Sequence, residues 1–233
     1  MLSFESGICI IPHPDKAARG GEDGYFFNDD LHALAVADGV GSWAFMGVDP
    51  GIYARKLMRL TEQAILTGER NPVNVLRQAY DGNKERGTST ACVALLNEGQ
   101  LHSVNLGDSG YIIIRDGQVF YSRKVTIHSF NFPLQLGEGS SDVPEDGTRE
   151  KHELLTGDII VMGTDGLWDN LFEDHVAELT AVEPDVEKLA GLIAEQACFA
   201  GGDAERKTPW SGAALGGKPD DITVIAVRIV AAG

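Results

Sequence analysis

Short apolar runs separated by turn residues dominate the chain, and they predict β-strands. The segments ESGICIIP, GYFFND, LHALAVAD, TSTACVALLN, QLHSVNLG, KHELL, DIIVMGT and ITVIAVRIV have this pattern. In GYIIIRDGQVFYS, two such runs are joined at Asp116-Gly117, which predicts a tight β-hairpin. The runs AVAD, IIVMG and ITVIAV are almost continuously apolar, so we expect these strands to be covered on both faces.

Helices are fewer and begin at clear signals. Asp49-Pro50 and Asn71-Pro72 each place a capping side chain before a proline at the first helical position. The first predicted helix ends at Gly68 and carries the apolar residues Ile52, Tyr53, Leu57, Leu60, Ala64 and Ile65. The second carries Val75, Leu76, Ala79 and Tyr80. A third predicted helix follows Glu183-Pro184 and ends at Gly201-Gly202. Its core-facing residues are expected to be Val186, Leu189, Ala190, Ile193 and Ala197. The segment FEDHVAEL predicts a further short helix.

Strands in hairpins and helices in pairs predict an α+β fold. We expect two antiparallel β-sheets packed face to face and flanked by α-helices, which is a four-layer αββα sandwich. No internal repeat or low-complexity linker is present, so residues 1–233 are predicted to form a single domain. Residues 125–148 and 203–219 are rich in Gly, Ser and Pro and predict long irregular loops, which in compact domains usually have a function or are mobile.

Composition narrows the class of partners. The 233 residues include 35 acidic and 19 basic side chains, for a formal charge of -16. This balance argues against binding to nucleic acid or to anionic membranes, because no cationic stripe is present. Two interpretations account for the excess of acidic residues: part of it would bind metal, and most of the rest would form a solvated surface. No apolar run approaches the ~20 residues that span a bilayer.

The cysteines and the first residues indicate a compartment. Cys9, Cys92 and Cys198 lie in apolar contexts without paired spacing, so we expect buried free thiols in a reducing compartment and no zinc site. The start MLSFESG enters a strand pattern at once and shows no signal or transit peptide. The expected location is therefore intracellular: cytoplasmic as the sequence stands, or mitochondrial or plastid if a transit peptide has been removed.

Four aspartates lie at the ends of predicted strands. Asp38-Gly39, Asp108-Ser109 and Asp165-Gly166 each close an apolar run, whereas Asp220-Asp221 precedes one. If the strand that begins at Ile222 runs antiparallel to the other three, all four acids gather at one edge of a sheet.

Such a carboxylate cluster is costly unless cations neutralise it, and hard oxygen ligands suit Mg²⁺, Mn²⁺ or Ca²⁺. The acidic pair Glu22-Asp23 precedes another strand and adds to this set. A lone Asp-Gly is usually a turn, but four acids at strand ends are hard to reach by chance. The pattern predicts a divalent-metal site and, with it, phosphate chemistry.

The residues around these acids resemble one family. GEDGYF, VADGVGSW, NLGDSG, GTDGLWDN and KPDDITVIAVRI are similar, in order and across the whole chain, to the motifs of the metal-dependent type 2C serine/threonine protein phosphatases. DGVGSWAFMGVDPGIYARKLM and SFNFPLQL resemble a short branch whose members are often mitochondrial or plastid enzymes. The resemblance implies a monomeric hydrolase that removes phosphate from phosphoproteins. It would use a water activated by two Mg²⁺ or Mn²⁺ ions, with a weaker third ion, and it would neither bind nucleic acid nor span a membrane.

The resemblance also implies roles for individual residues. Asp38 would bridge the two ions as a catalytic ligand, and the carbonyl of Gly39 would complete one of them. Asp165, also catalytic, and Asp220 would bind the other ion, while Glu22 and Asp23 would contact metals directly or through water.

Three further acids would have supporting roles. Asp108 would help Asp165 to hold the third ion. Asp221, where many relatives carry Asn, would orient Asp220. Asp169 would support the ligands from outside the ion contacts, although a helix-capping role is the alternative.

Two departures from the family pattern leave alternatives open. Val40 stands where many members carry a histidine that is a candidate general acid, so no general acid is assigned. Ala18 stands where the phosphate-binding arginine usually lies, which leaves Arg19 and Lys16 as phosphate-binding candidates or as solvated loop cations. These departures favour, as an alternative function, a catalytically weak pseudophosphatase that acts as a regulatory binding module. A calcium-binding structural domain is disfavoured because no EF-hand spacing occurs.

Overall fold

The computed structural model describes residues 1–212 and 214–232. Its strands in chain order are β1 (Leu2–Ile11), β2 (Asp23–Asn28), β3 (Ala33–Asp38), β4 (Thr88–Ser89), β5 (Ala91–Asn97), β6 (Gln100–Leu106), β7 (Gly110–Arg115), β8 (Gln118–Tyr121), β9 (Ile127–Ser129), β10 (Phe132–Pro133), β11 (Leu136–Gly137), β12 (Thr148–Glu153), β13 (Ile159–Gly163) and β14 (Ile222–Ala231). The α-helices are α1 (Pro50–Leu66), α2 (Pro72–Gly82), α3 (Asp165–Trp168), α4 (Glu173–Val182) and α5 (Val186–Gly202). Short 3-10 helices span Ala17–Arg19, Gly41–Met46 and Pro144–Asp146.

Two five-stranded antiparallel sheets form the centre of the fold. The first sheet has the order β1-β14-β13-β7-β8, and the second has the order β12-β6-β5-β3-β2. Between them lies an apolar layer to which the second sheet contributes Leu34 and Val36 and the first contributes Ile160, Met162 and Ile225. The predicted face-to-face packing is therefore confirmed.

Helices cover the outer face of each sheet. On the second sheet, Ala35 of β3 and Val93 of β5 pack with Leu57 of α1. On the first sheet, Val161 of β13 and Val224 of β14 pack in one cluster with side chains of α5, namely Leu189, Ala190 and Ile193. Burial of both strand faces explains the nearly continuous apolar runs. The αββα architecture is confirmed.

Local signals positioned the turns and helix starts as expected. Asp116 and Gly117 both have positive φ values, 53° and 75°, which is the geometry of the tight hairpin turn between β7 and β8. The Asp49 carboxylate accepts the Gly51 N–H at 3.0 Å, and the Asn71 side chain accepts the Val73 N–H at 3.0 Å. These bonds satisfy donors that the first helical turn leaves unpaired.

The expectation of three buried thiols was wrong. Cys92 is buried between the sheets, but Cys9 is only half-buried and Cys198 is exposed on α5. Cys198 lies between the inward residues Ala197 and Ala200, so the helical turn directs it outward even though its neighbours are apolar.

The two irregular segments are long loops with little regular structure. Residues 125–148 contain only the short strands β9, β10 and β11 and one 3-10 turn before β12 begins. In residues 203–219, of which residue 213 lies outside the described part, the described positions form neither helix nor strand. Among the described residues, no helix combines the length and the apolar character that crossing a bilayer requires.

Candidate active site

Three of the predicted acids meet at one end of the sandwich. Asp38 ends β3, Asp108 lies between β6 and β7, and Asp165 opens α3 two residues after β13 ends. One carboxylate oxygen of each lies within 4.8 Å of the others. The strand pattern predicted that these acids would lie at the edge of one sheet, and this prediction was wrong. Because β3 and β6 belong to the second sheet and β13 to the first, the cluster joins the two layers.

The fourth acid reaches the cluster by the strand reversal that was expected. β14 pairs antiparallel with β13, with Gly163 opposite Val224, so the start of β14 lies beside the end of β13. Asp220 precedes β14 and lines the same cavity as Asp38, Asp108 and Asp165. The cavity has a volume of about 430 Å³ and is called the acidic cavity below.

Asp23 faces this cluster from β2. It is paired directly with Asp38 across the β2–β3 ladder. Its Oδ2 accepts the hydroxyl of Thr164 at 2.8 Å and that of Thr223 at 2.7 Å, both from the first sheet side. Its Oδ1 is buried and has no hydrogen-bond partner.

Glu22 and Asp221 form the base of the site. Glu22 is only 1% exposed, and its carboxylate is 2.6 Å from Arg19. The Asp221 carboxylate accepts the N–H of His13 at 2.8 Å and that of Glu22 at 2.9 Å. Asp221 contacts Asp220 through its backbone, since its N–H donates to Asp220 Oδ1 at 2.9 Å. The Asp221 side chain therefore fixes the loop that carries Glu22.

Two lysines each contact three of these acids. Lys218 Nζ contacts Asp165, lies 2.9 Å from Asp169 and lies 3.3 Å from Asp220. Lys16 Nζ lies 2.7 Å from Glu22, 3.0 Å from Asp220 and 3.1 Å from Asp221. Burial alone would lower the pKa of each lysine, but the surrounding carboxylates outweigh it and raise both pKa values, so both side chains are charged.

The pKa values of the acids divide according to their neighbours. Burial, reinforced by Asp165, raises the pKa of Asp38 well above its usual range. Burial and nearby carboxylates raise the pKa of Asp23 to about 8 and that of Asp108 to about 7. Burial also raises the pKa of Asp169 to about 6. For Asp220, Lys218 and Lys16 outweigh burial and lower the pKa. Without further cations, the centre of the cluster thus retains protons near neutral pH.

Asp169 has a backbone contact at the end of α3 and a side-chain contact in the site, and the two roles weighed for it stay predictions. Its N–H donates to the Asp165 carbonyl at 2.7 Å at the end of α3, and its carboxylate accepts Lys218. Gly39 lies where a side chain would not fit, because a Cβ atom there would be 2.6 Å from the Glu22 carbonyl oxygen and 2.8 Å from that of Pro50. The role predicted for the Gly39 carbonyl stays a prediction.

The phosphate-binding candidates differ in position. Lys16 lines the acidic cavity, as does Val40, whereas Arg19 lies on Glu22 and 3.9 Å from Asp49. In the part of the chain that the structure describes, no histidine lines this cavity. The irregular segments contribute Phe132 and Gln135 to its rim and Lys218 to its wall.

Sequence reasoning missed Lys218, Arg123 and the two threonines on Asp23. Arg123 donates to the Asp108 carbonyl at 2.8 Å and thereby holds the loop that carries this acid. Lys218 stands two residues before Asp220, and Thr164 directly precedes Asp165. For Lys218 and Thr164, proximity to a predicted ligand was the available signal. The sequence around Arg123 gave no such signal.

The donor set fits hard divalent cations. Buried oxygens of Asp23, Asp108 and Asp165 have no hydrogen-bond partner, and each points to a missing positive charge or proton. The donors are carboxylates, as Mg²⁺ and Mn²⁺ prefer, and the described chain offers no thiolate or imidazole among the clustered ligands. The ammonium groups of Lys16 and Lys218 already show that cations are stable here.

Known proteins share this sequence and this fold. The family model for Stage II sporulation protein E matches residues 28–230. The Probable protein phosphatase 2C 55 of Arabidopsis thaliana is 40% identical over 99% of this chain and 52% of its own length. The Probable protein phosphatase 2C 26 of the same plant is 34% identical over 98% of this chain and 85% of its own length. The chain thus spans about half the length of several of the curated relatives that it matches.

Solved structures agree with the sequence comparison. The photosystem II phosphatase PBCP superposes with a TM-score of 0.93 at 33% identity, covering 97% of this chain and 98% of its own. The catalytic domain of the serine/threonine protein phosphatase PstP, solved with two manganese ions, has a TM-score of 0.71 at 18% identity over 99% of this chain and all of its own. This second likeness concerns the fold. Matching motifs, fold and relatives lead to one conclusion: the chain belongs to the protein phosphatase 2C family of metal-dependent hydrolases.

Proposed function

We propose that this chain is a Mg²⁺- or Mn²⁺-dependent phosphatase that hydrolyses phosphoserine and phosphothreonine monoesters in proteins. The observation that carries the proposal is the cluster of Asp38, Asp108 and Asp165, whose oxygens lie within 4.8 Å of one another at the base of an open cavity. Family membership supports the same reaction. The chain would act as one phosphatase domain and as a monomer.

The family resemblance names the residues that would hold two ions, and all of them except Asp23 line the acidic cavity. Asp38 would hold both ions, together with the Gly39 carbonyl, Glu22, Asp23, Asp165 and Asp220. Asp108 would serve a weaker third ion together with Asp165. When bound, the ions would polarise a water for attack on phosphorus and neutralise the charge of the phosphate.

The chain's own residues would do the rest. Lys16 and Lys218 line the cavity and bring positive charge to a site whose other charged side chains are carboxylates. A phosphate that enters would be attracted to them and oriented by them. Asp221 and Asp169 would keep Glu22 and Lys218 in place through the contacts described above. Position 40 supplies no proton donor, so the leaving alkoxide would take its proton from another source than this side chain.

The experiment is hydrolysis of p-nitrophenyl phosphate and of a phosphothreonine peptide with Mn²⁺, with Mg²⁺ and with a chelator. We expect turnover with either ion and none with the chelator. Asp38→Asn and Asp165→Asn should each lower kcat/KM by about 10³-fold or more, because each removes an anionic ligand from the centre. Asp174→Asn, an exposed carboxylate on α4, is the matched control and should change nothing. Turnover that persists in the chelator would contradict the proposal.

The alternative is a catalytically weak pseudophosphatase that binds a regulatory partner. It is favoured by Val40 and by the engagement of Arg19 with Glu22, which leaves no arginine directed into the acidic cavity among the described residues. It requires that the purified protein bind Mn²⁺, or no metal, without hydrolysing any member of a phosphopeptide panel. Robust turnover of one peptide would exclude it.

A further inference from the structure

A second cavity continues the acidic cavity on one side. It has a volume of about 490 Å³ and is called the flanking cavity; its lining includes Ser42, Trp43, Met46, His128, Phe132 and Gln135. Ser42, Phe132 and Gln135 line both cavities. A substrate peptide bound in the acidic cavity would therefore be able to extend past these three residues into the flanking cavity.

The wall of the flanking cavity is formed before any ligand arrives. The Trp43 indole N–H donates to the Thr88 hydroxyl at 2.8 Å, and this hydroxyl in turn donates to Gln135. Behind these side chains, β4 pairs with β11, with Thr88 opposite Gly137. A preformed wall costs little ordering entropy on binding, as ligand sites require.

The flanking cavity presents apolar surface to solvent. Met46 is 60% exposed and Phe132 is 49% exposed, and the neighbouring Phe45 is 94% exposed. Single exposed apolar residues are ordinary on protein surfaces. These differ because Met46 and Phe132, from separate segments, border one concave surface beside the acids.

The two carboxylates at the flanking cavity already have hydrogen-bond partners. Glu138 accepts Arg86 at 3.0 Å, and Asp142 lies 2.9 Å from His128 and accepts the Gln135 N–H at 2.9 Å. An acidic ligand side chain would meet these two carboxylates, and a basic one would find both of them engaged. An apolar side chain instead gains from burial against Trp43, Met46 and Phe132.

We propose that the flanking cavity is a specificity subsite for an apolar, preferably aromatic, side chain of the substrate. That side chain would lie within about three residues of the phosphorylated position, given the ~3.3–3.6 Å that each extended residue spans. The inference rests on the proposed phosphatase function and names the class of peptide that this site selects.

The test is a phosphothreonine peptide series in which each position up to three residues on either side carries Phe, Ala, Glu or Lys. Turnover is measured with Mn²⁺ for the full chain and for the variants Met46→Ser, Phe132→Ser and Val182→Ser. At one position we expect Phe to exceed Ala in kcat/KM by about tenfold, mainly through a lower KM, because part of the ring leaves water. Glu at that position should be the poorest substrate.

The variants identify where the preference arises. Met46→Ser and Phe132→Ser should reduce the Phe-to-Ala ratio toward one, with each value normalised to the same variant's turnover of p-nitrophenyl phosphate. Val182→Ser removes an apolar side chain that is 71% exposed on α4 and should keep the wild-type ratio. Turnover of all peptides without an apolar preference, or a preference that survives both variants, would overturn the subsite alone. No turnover of p-nitrophenyl phosphate by the wild-type protein would overturn the phosphatase function and the subsite with it.

Discussion

Asp23 and Asp38 face each other as a directly paired cross-strand couple of β2 and β3. Like charges in that position repel, so the pair is stable only with a proton or a cation between the two carboxylates. The hydroxyls of Thr164 and Thr223 bind one side of Asp23 and leave its other oxygen for that proton or cation.

The metal-free protein should lose stability as the pH rises. Burial raises the pKa of Asp23 to about 8, and burial with Asp165 raises that of Asp108 to about 7, against about 3.9 in an unfolded chain. Between about pH 4 and pH 8 the folded state therefore binds more protons than the unfolded state, so its free energy of unfolding falls with rising pH. Thermal unfolding with a chelator should give a Tm about 5 °C lower at pH 8.5 than at pH 6.

Saturating Mn²⁺ should reverse this trend, because the ions bind the deprotonated carboxylates and displace the protons. The comparison needs only the same two pH values with and without the metal. A metal-free Tm that increased from pH 6 to pH 8.5 would contradict the assigned pKa directions.

Asp38→Asn should separate stability from metal binding. On folding at pH 8 without metal, the wild-type carboxyl must take up a proton or carry an unfavourable buried charge, and an amide does neither. The free energy of unfolding of the variant in chelator should therefore rise by about 1 kcal/mol or more. The same variant should show no Tm increase on adding Mn²⁺, whereas the wild-type protein should. Asp174→Asn serves as the control, and equal metal-dependent shifts in Asp38→Asn and wild type would be incompatible with this role.

Lys218→Met should strengthen divalent-metal binding. Its ammonium group now contacts Asp165 and Asp169 and lies 3.3 Å from Asp220, so it competes with an ion for the same carboxylates. Without it, we expect a Mn²⁺ Kd about tenfold lower in a calorimetric titration, which equals about 1.4 kcal/mol. Lys188→Met removes an exposed lysine on α5 and is the matched control. Weaker Mn²⁺ binding by Lys218→Met would show that the lysine supports the ions.

Arg115→Met should destabilise the fold far from the active site. Arg115 makes a two-pronged contact with the buried Asp158, at 2.8 Å and 2.7 Å. The variant leaves this carboxylate buried without its cation, which should cost about 3 kcal/mol in denaturant unfolding. Arg59→Met, at an exposed position of α1, should change stability by no more than about 0.5 kcal/mol. Equal stabilities of the two variants would contradict the assigned role of the pair.

Much of this structure follows from local sequence signals. The hairpin at Asp116-Gly117 and the helix starts at Asp49 and Asn71 depend on the conformations of a few adjacent residues, and the sequence displays them directly. The sequence was enough to predict that the four aspartates lie close together, because each stands at the end or the start of a predicted strand. Their origin in two sheets could not be predicted, because strand order depends on pairing between distant segments.

The cations of the site show why the remainder was hidden. Lys16 and Lys218 are separated by about 200 residues in the chain, yet both contact Asp220. Nothing local to either lysine indicates this, and only the packing of the N-terminal loop against the start of β14 brings them together. The prediction that Cys198 is buried was wrong for a different reason. Its neighbours in the sequence are apolar, but it lies on the exposed face of its helix.

The order β1-β14-β13 has a consequence for the order in which the site is assembled. Among the described strands, β1 pairs only with β14, the first strand with the last. A ribosome-bound chain thus holds β1 without a neighbour until synthesis reaches residues 222–231, and Asp220 arrives only then. The proposed metal site would therefore lack Asp220, and the first sheet would lack the strand that joins β1 to β13, until the segment that contains both has been synthesised.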